Sequence, residues 1–194
     1  MLKTVIFVAF VLLIALGGGA GSAWLALEST RAIGSVEIGP WVTFPRQGTH
    51  EADPYSRARN TRLGQLSLGQ AEGIVLVAAS DSAGRPLLRQ CSYQLQGDLP
   101  PTRFFTLHAT GENRQILSAP ARFSSALHSR SLLWRHGQPL KIVVSPRPQP
   151  ENWLAVAGTG PMKLVLTLVD TPISTGARVG ETSLPGITRM ECDV

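Results

Sequence analysis

The stretch Met162-Lys163-Leu164-Val165-Leu166-Thr167-Leu168-Val169 alternates without a break: Met162, Leu164, Leu166 and Leu168 point one way, Lys163, Val165 and Thr167 the other. Successive side chains of a strand project to opposite faces, so this period of two predicts a strand with one apolar face turned to a core. The pattern recurs upstream. In Cys91–Gln96, the side chains of Cys91, Tyr93 and Leu95 share one face, and those of Ser92, Gln94 and Gln96 the other. In Arg103–Thr110, Phe105, Leu107 and Ala109 oppose Phe104, Thr106 and His108. Gly73–Ala79 is a short apolar run bounded by turn residues, and Trp41–Phe44 is a short strand stopped by Pro45. Further strands are expected near Ser131–Arg135 and Leu140–Ser145, joined through His136-Gly137-Gln138, and Ile187–Cys192 closes the chain. One helix is expected, opened by Asp53 as N-cap and Pro54 as first residue, running through about Leu63 and stopped by Gly64. Its Arg57, Arg59 and Arg62 read as a solvated face, with Glu72 as a structural partner for one of them. Strands at roughly ten-residue spacing, with no βαβ alternation, predict a mainly β domain, an antiparallel β-sandwich or barrel.

Outside that domain lies an N-terminal segment of another kind. No charged residue occurs from Thr4 to Leu27. As a helix, these 24 residues would span about 36 Å, against a bilayer core of roughly 30 Å. Lys3 flanks one side, and Glu28 and Arg31 the other, so the positive-inside rule places the N-terminus in the cytoplasm and the remainder outside it. Trp24 sits where an interfacial ring is favoured. The rival reading is a cleaved signal peptide, with Val5–Leu16 as its apolar core and Gly21-Ser22-Ala23 as the cleavage site. Apolar residues continue through Leu27, which favours an uncleaved anchor. The expected organisation is 1–30 transmembrane helix or signal peptide, 31–40 linker, and 41–194 periplasmic β-domain. Cys91 and Cys192 are the two cysteines, and an exported, oxidising compartment would let them pair; the alternative is two unrelated buried thiols.

The chain has 194 residues and a net charge of +5, with 43% hydrophobic and 16% charged residues. That balance excludes a disordered or coiled-coil protein, and two cysteines exclude a cysteine-only zinc site or iron–sulfur cluster. There is no Gly-x-Ser-x-Gly elbow, no His-Glu-x-x-His, no phosphate loop and no dinucleotide fingerprint. His50, His108, His128 and His136 are scattered; only His128 and His136 could approach, across Gly137, which leaves a metal short of ligands. Asp81, Asp98, Glu112 and Glu151 are the carboxylates that a glycoside hydrolase would draw on, but they read mostly as turn residues. The expectation is a protein without cofactor or metal, and not an enzyme. From Arg85 to Arg147 nine basic residues face only Asp98 and Glu112. This excess suits anionic lipid, an acidic polymer or an acidic partner, and equally a set of strand-edge arginines that discourage aggregation. Nucleic acid is not expected, because the domain is exported and lacks basic–aromatic interleaving. Trp153, with Asn152, either stacks on a sugar or partner ring or plugs the end of the sandwich.

An ordered series of short motifs then points to a family. Asp53-Pro54-Tyr55-Ser56-Arg57-Ala58 is followed by Ala71-Glu72-Gly73, Asp81-Ser82-Ala83-Gly84-Arg85-Pro86-Leu87, Tyr93-Gln94-Leu95 and Pro100-Pro101-Thr102-Arg103-Phe104-Phe105-Thr106-Leu107. Asn152-Trp153-Leu154 and Pro185-Gly186-Ile187 complete it. Over about residues 39–192 the chain resembles the domain of unknown function 1214 family, in its short form with an N-terminal membrane segment. Phe104-Phe105 stands where the family often has Phe-Trp, and Ala155 where it often has Pro. The resemblance implies a jelly-roll-like sandwich and frequent association with the companion family of unknown function 1254. It implies no catalytic residues. Trp153, Asn152, Arg57 and Arg103 are the candidate binding residues. The sequence thus points to a bitopic inner-membrane protein of a Gram-negative bacterium. Its periplasmic domain would act as a binding or assembly module beside a partner, with a carbohydrate-active or other hydrolytic periplasmic enzyme as the alternative.

Overall fold

The computed structural model describes residues 2–28, 34–64, 66–112, 114–119, 123–135, 137–175 and 182–192. Arg31, Arg122 and His136 lie outside the described residues. Helix α1 (Leu2–Glu28) is followed by β1 (Val36–Ile38), β2 (Trp41–Thr43), α2 (Pro54–Leu63), β3 (Gly73–Ala78), β4 (Cys91–Gly97) and β5 (Phe104–Thr110). Then come β6 (Ala126–His128), β7 (Leu140–Ser145), β8 (Trp153–Ala155), β9 (Lys163–Val169), a 3-10 turn at Pro172–Thr175, and β10 (Gly186–Cys192). Among the described residues the strands form two sheets. One has six strands in the order β1-β2-β3-β9-β5-β6, all antiparallel; the other has four, in the order β10-β4-β7-β8, antiparallel except for the parallel pair β7–β8. The mainly β architecture read from the sequence is the observed one.

The period-two strands build the core. In β9 burial alternates along its whole length, and Met162, Leu164, Leu166 and Leu168 are buried. The strand sits between β3 and β5, with Leu166 opposite Leu76 on one side and Leu107 on the other. Across the core the second sheet contributes Tyr93, Leu95, Ile142, Val144, Leu154 and Ile187, all in the same apolar cluster. Trp41, with no exposed surface, ties β2 to the C-terminal segment by donating its indole N–H to the Pro185 carbonyl at 2.8 Å.

Helix α2 forms as its sequence specifies. Asp53 is the N-cap, and its carboxylate accepts from the Ser56 amide at 3.0 Å. Pro54 opens the first turn, and Gly64 closes the last at φ 58°, a left-handed conformation that costs glycine least. The disulfide joins Cys91 to Cys192, directly opposite one another on β4 and β10.

Four expectations are corrected. Ser131–Arg135 is not a strand; the sixth strand of its sheet is β6, and Leu107 pairs with Leu127. The chain instead turns after His128. Ser131 Oγ donates to the His128 carbonyl and accepts from its amide, and the Leu133 amide donates to the side chain of Asn152 rather than to a neighbouring strand. Glu72 turns instead to its own loop, accepting from the Gly69 amide at 2.9 Å, a local turn contact reached with less loss of freedom. Arg59 does not share the solvated face of Arg57 and Arg62: it is 7% exposed, folded under the helix against Phe44. And β1 lies inside the 31–40 stretch read as linker, because Glu37 finds a partner in Val42.

Two stability changes follow. Removing the disulfide by Cys91→Ser/Cys192→Ser frees a loop of 101 residues and is expected to cost up to about 4–5 kcal/mol. Leu166→Ala, which hollows the centre of the core, is expected to cost about 2–5 kcal/mol. Denaturant unfolding of the full chain in detergent measures both; changes under about 1 kcal/mol would contradict this packing.

Candidate functional site

The outer faces of the two sheets differ in chemistry. On the four-stranded sheet the outward set mixes the polar Gln94, Gln96, Lys141 and Thr188 with the apolar Val143, Trp153 and Met190. On the six-stranded sheet the register sets one row across every strand: Glu37, Val42, Val77, Val165, His108 and Ala126. A second row runs Val75, Thr167, Thr106 and His128, and a third holds Val169 beside Phe104. None of these side chains is buried, and Val75 is 39% exposed. Phe104 and His128 stack at 5.8 Å between ring centroids. This surface is rich in β-branched side chains, with charge only at its margins in Glu37 and Lys163. Partial burial among these apolar neighbours lowers the pKa of His108, because the charged imidazolium is the form that desolvation penalises.

The groove nearest the sequence-derived candidates lies on the other sheet. It has a volume of about 150 Å³ and is lined by Gln94, Lys141, Val143, Gln149, Pro150, Glu151, Asn152 and Met190. Asn152 is a positioning residue there. Its Oδ1 accepts from the Leu133 amide at 2.7 Å, and its Nδ2 donates to the carbonyls of Leu133 and Lys141, each at 3.0 Å. With both ends of the amide spent on the backbone, little is left for a ligand. Trp153 stands in edge strand β8, half-buried, and donates its indole N–H to the Ser145 carbonyl at 3.0 Å; Phe123 meets its ring edge-on at 4.6 Å. Arg57 is exposed on α2, where it donates to the His50 carbonyl, and Arg103 lies 3.7 Å from Asp170, both exposed. Only Asn152 of the four lines the groove, so the structure gathers no common site from them.

The carboxylates considered for hydrolysis are dispersed. Asp81 is buried and organises its own turn, accepting from the amides of Ala83 and Arg85 at 3.0 and 2.9 Å and from Arg85 Nε at 2.8 Å. Arg189, stacked 5.5 Å from the Tyr93 ring, approaches it to 3.7 Å. Burial pushes the Asp81 carboxyl up, but the Arg85 amide, its guanidinium and the Ala83 amide together outweigh it, and the net pKa lies below the ordinary 3.8. Glu151 pairs with Arg135, while Asp98 and Glu112 are exposed. Among the described residues no group of three His, Cys, Asp or Glu could hold a metal ion. The basic middle of the chain is likewise divided: Arg85 serves Asp81, Arg135 serves Glu151, and Arg89 donates to the Pro161 carbonyl at 3.3 Å.

The family model described as "Protein of unknown function (DUF1214)" matches residues 72–173. The fold is similar to the crystal structure of the VPA0106 protein from Vibrio parahaemolyticus, at 18% identity and a TM-score of 0.59, over 75% of this chain and 37% of that one. An uncharacterised protein from Burkholderia cenocepacia aligns at 15% identity and a TM-score of 0.44, over 77% of this chain and 47% of that one. The chain thus spans under half the length of either. No curated protein matches it.

The turn around Asp81 makes a pH prediction. A carboxyl whose folded pKa is depressed stabilises the fold fully above its unfolded value, and that stabilisation is lost as pH falls through the folded value. Asp81→Asn is therefore expected to lower the thermal midpoint at neutral pH and to flatten its decline below about pH 4. An unchanged acid limb would contradict the assignment. Asn152→Ala, which strands the Leu133 amide and two carbonyls, is expected to cost roughly 1–3 kcal/mol in denaturant unfolding.

Proposed function

The chain belongs to the DUF1214 family of proteins of unknown function, and from that membership, its fold and its N-terminal apolar helix we propose a membrane-tethered, non-enzymatic binding and assembly module of the bacterial envelope. The apolar outer face of the six-stranded sheet carries this reading. Among the described residues its rows carry charge only at the margins, whereas the opposite sheet mixes amides, a lysine and a hydroxyl with Val143, Trp153 and Met190. Helix Leu2–Leu27 is long and apolar enough to cross a bilayer and none of it is buried. Lys3 before it favours a cytoplasmic N-terminus and a periplasmic domain at the inner membrane, with 1–30 as anchor and 41–194 as the exported domain. A disulfide between β4 and β10 suits an oxidising compartment.

The partner proposed for the face is a protein of the companion 1254 type. This fold fills 37% of the Vibrio chain, so there it is accompanied by further polypeptide. The companion protein is proposed to cover the outer face of the six-stranded sheet here. The hydrolytic alternative gains nothing from the carboxylates, since Asp81 and Glu151 are held in ion pairs and Asp98 and Glu112 lie on other loops.

Val165→Asp and Val75→Asp place a charge at the centre of the face. Each is expected to abolish stoichiometric recovery of the companion protein after mild cross-linking in cells and detergent extraction. Each is also expected to cost only about 1 kcal/mol in folding stability. Recovery unchanged by both would defeat the docking reading. Docking over His108 further disfavours its charged form, so affinity is expected to hold at neutral pH and to fall once pH drops below about 6.5. Glu37, Lys163 and His128 share this face. The double substitution of His108 and His128 to Leu is therefore the reference that should remove the pH dependence.

A further inference from the structure

Arg59 lies where helix α2 meets the end of α1. Arg59, on the hidden side of α2, donates from Nε to the Leu27 carbonyl at 3.4 Å, and its guanidinium lies 4.7 Å from the centre of the Phe44 ring. The residue is 7% exposed. Asp53 acts on it through charge, while its carboxylate is engaged by the Ser56 amide. Both terminal nitrogens, Nη1 and Nη2, are buried and have no hydrogen-bond partner among the described residues. A buried donor left unmade is costly, more so on a charged group, and such a group calls for an explanation. The ring of Phe44 occupies a face of the guanidinium, and Nη1 and Nη2 at its edge form a planar fork that is enclosed here and meets a ligand once the side chain shifts outward. That fork matches two oxygens of a phosphate, and the pair is strongest where water is excluded.

The position of the fork identifies where such a phosphate would come from. A 26-residue helix from Leu2 to Leu27 is about 39 Å long, so its end passes the hydrocarbon of about 30 Å and reaches the headgroup layer. Trp24, 57% exposed and one turn earlier, is an interfacial ring at that depth. Arg57 and Arg62, exposed on α2, add positive charge beside it. The contact from Nε to Leu27 is long, so a small shift of the side chain toward the headgroups gives up little.

We propose that Arg59 is a phosphate-binding residue that seats the headgroup of an anionic phospholipid where the anchor joins the domain, with Nη1 and Nη2 donating to two phosphate oxygens. The inference rests on the membrane reading above. It is tested on the full-length chain in nanodiscs of phosphatidylcholine alone or mixed with phosphatidylglycerol. Native mass spectrometry reads the retained lipid, and thermal unfolding reads the stabilisation. The wild-type chain is expected to retain phosphatidylglycerol several-fold over phosphatidylcholine and to unfold at higher temperature in the mixed discs. Arg59→Gln loses both effects, Arg59→Lys keeps a fraction because an ammonium makes no fork, and Arg57→Gln and Arg62→Gln keep most. Inorganic phosphate titrated into the phosphatidylcholine discs separates the sources. A saturable stabilisation that Arg59→Gln removes upholds the phosphate site but assigns it to free phosphate. Equal lipid retention by wild type and Arg59→Gln overturns the proposal. So does a loss in Arg57→Gln or Arg62→Gln as large as in Arg59→Gln, which is the signature of a diffuse basic surface. Near-UV circular dichroism and a non-reducing gel check the fold; if Arg59→Gln fails them, the comparison of Arg59→Lys with wild type carries the test. Intact mass of protein extracted from cells reads the anchor separately. A chain clipped near Ala23 defeats the membrane reading, whereas an intact chain without lipid preference defeats only the role of Arg59.

Discussion

Strand β9 must bury Met162, Leu164, Leu166 and Leu168 on one side, and this constraint organises the molecule. A strand of period two cannot slip by one residue without turning that whole set to solvent, so the registers of β3 and β5 against it are fixed. Once they are, the second sheet has to supply the opposing half of the core, and Tyr93, Leu95, Ile142 and Ile187 do so. The same constraint dictates the reverse side. Because the leucines go in, Val165 and Thr167 go out, and they meet Val75, Val77, Thr106 and His108 in continuous rows. The uncharged outer face is thus the obligatory back of the core.

This explains what could be read from the chain and what could not. Local signals were sufficient for α2, where Asp53, Pro54 and Gly64 each act within a turn of their own position, and for β4, β5 and β9, where alternation needs no partner. The cysteine count suggested a bond, but only the pairing of β4 with β10 puts Cys91 opposite Cys192. The β6 segment and the turn after it were misplaced because their determinants are distant. Ala126–His128 is a strand only against β5, and Leu133 is held by an asparagine 19 residues further on. Of the outer face, Phe104, Thr106, His108, Lys163, Val165 and Thr167 were assigned to the side away from the core, while Val75 and Val77 were hidden in an apolar run without alternation. Their union into one surface was invisible, since it depends on strand order, a non-local property. Arg59 was missed for another reason: a helical wheel already turns it about 160° from Arg57, but which side of α2 is covered depends on Phe44 and the end of α1.

The candidate residues fare unequally by the same physics. Asn152 is committed to three backbone groups and fixes the geometry of the bend before β8. Arg57 and Arg103 sit on separate elements with nothing converging on them. Asp81, which sequence reading offered as a possible acid, is the organiser of a turn, its charge stabilised by Arg85 and approached by Arg189. What remains for function is a sandwich with one largely uncharged and one mixed exterior, an N-terminal apolar helix, and an arginine where that helix meets the domain. That combination suits a protein that holds another against the membrane.

The most direct test is site-specific photo-cross-linking in intact cells, with the reactive group placed at position 165 on the apolar face or at position 94 on the mixed one. The account predicts a stoichiometric adduct from position 165 that mass spectrometry identifies as a companion-family envelope protein, on a chain that still carries its N-terminal helix, and none from position 94. Equal adducts from the two positions, or an uncross-linked chain at position 165, would contradict it.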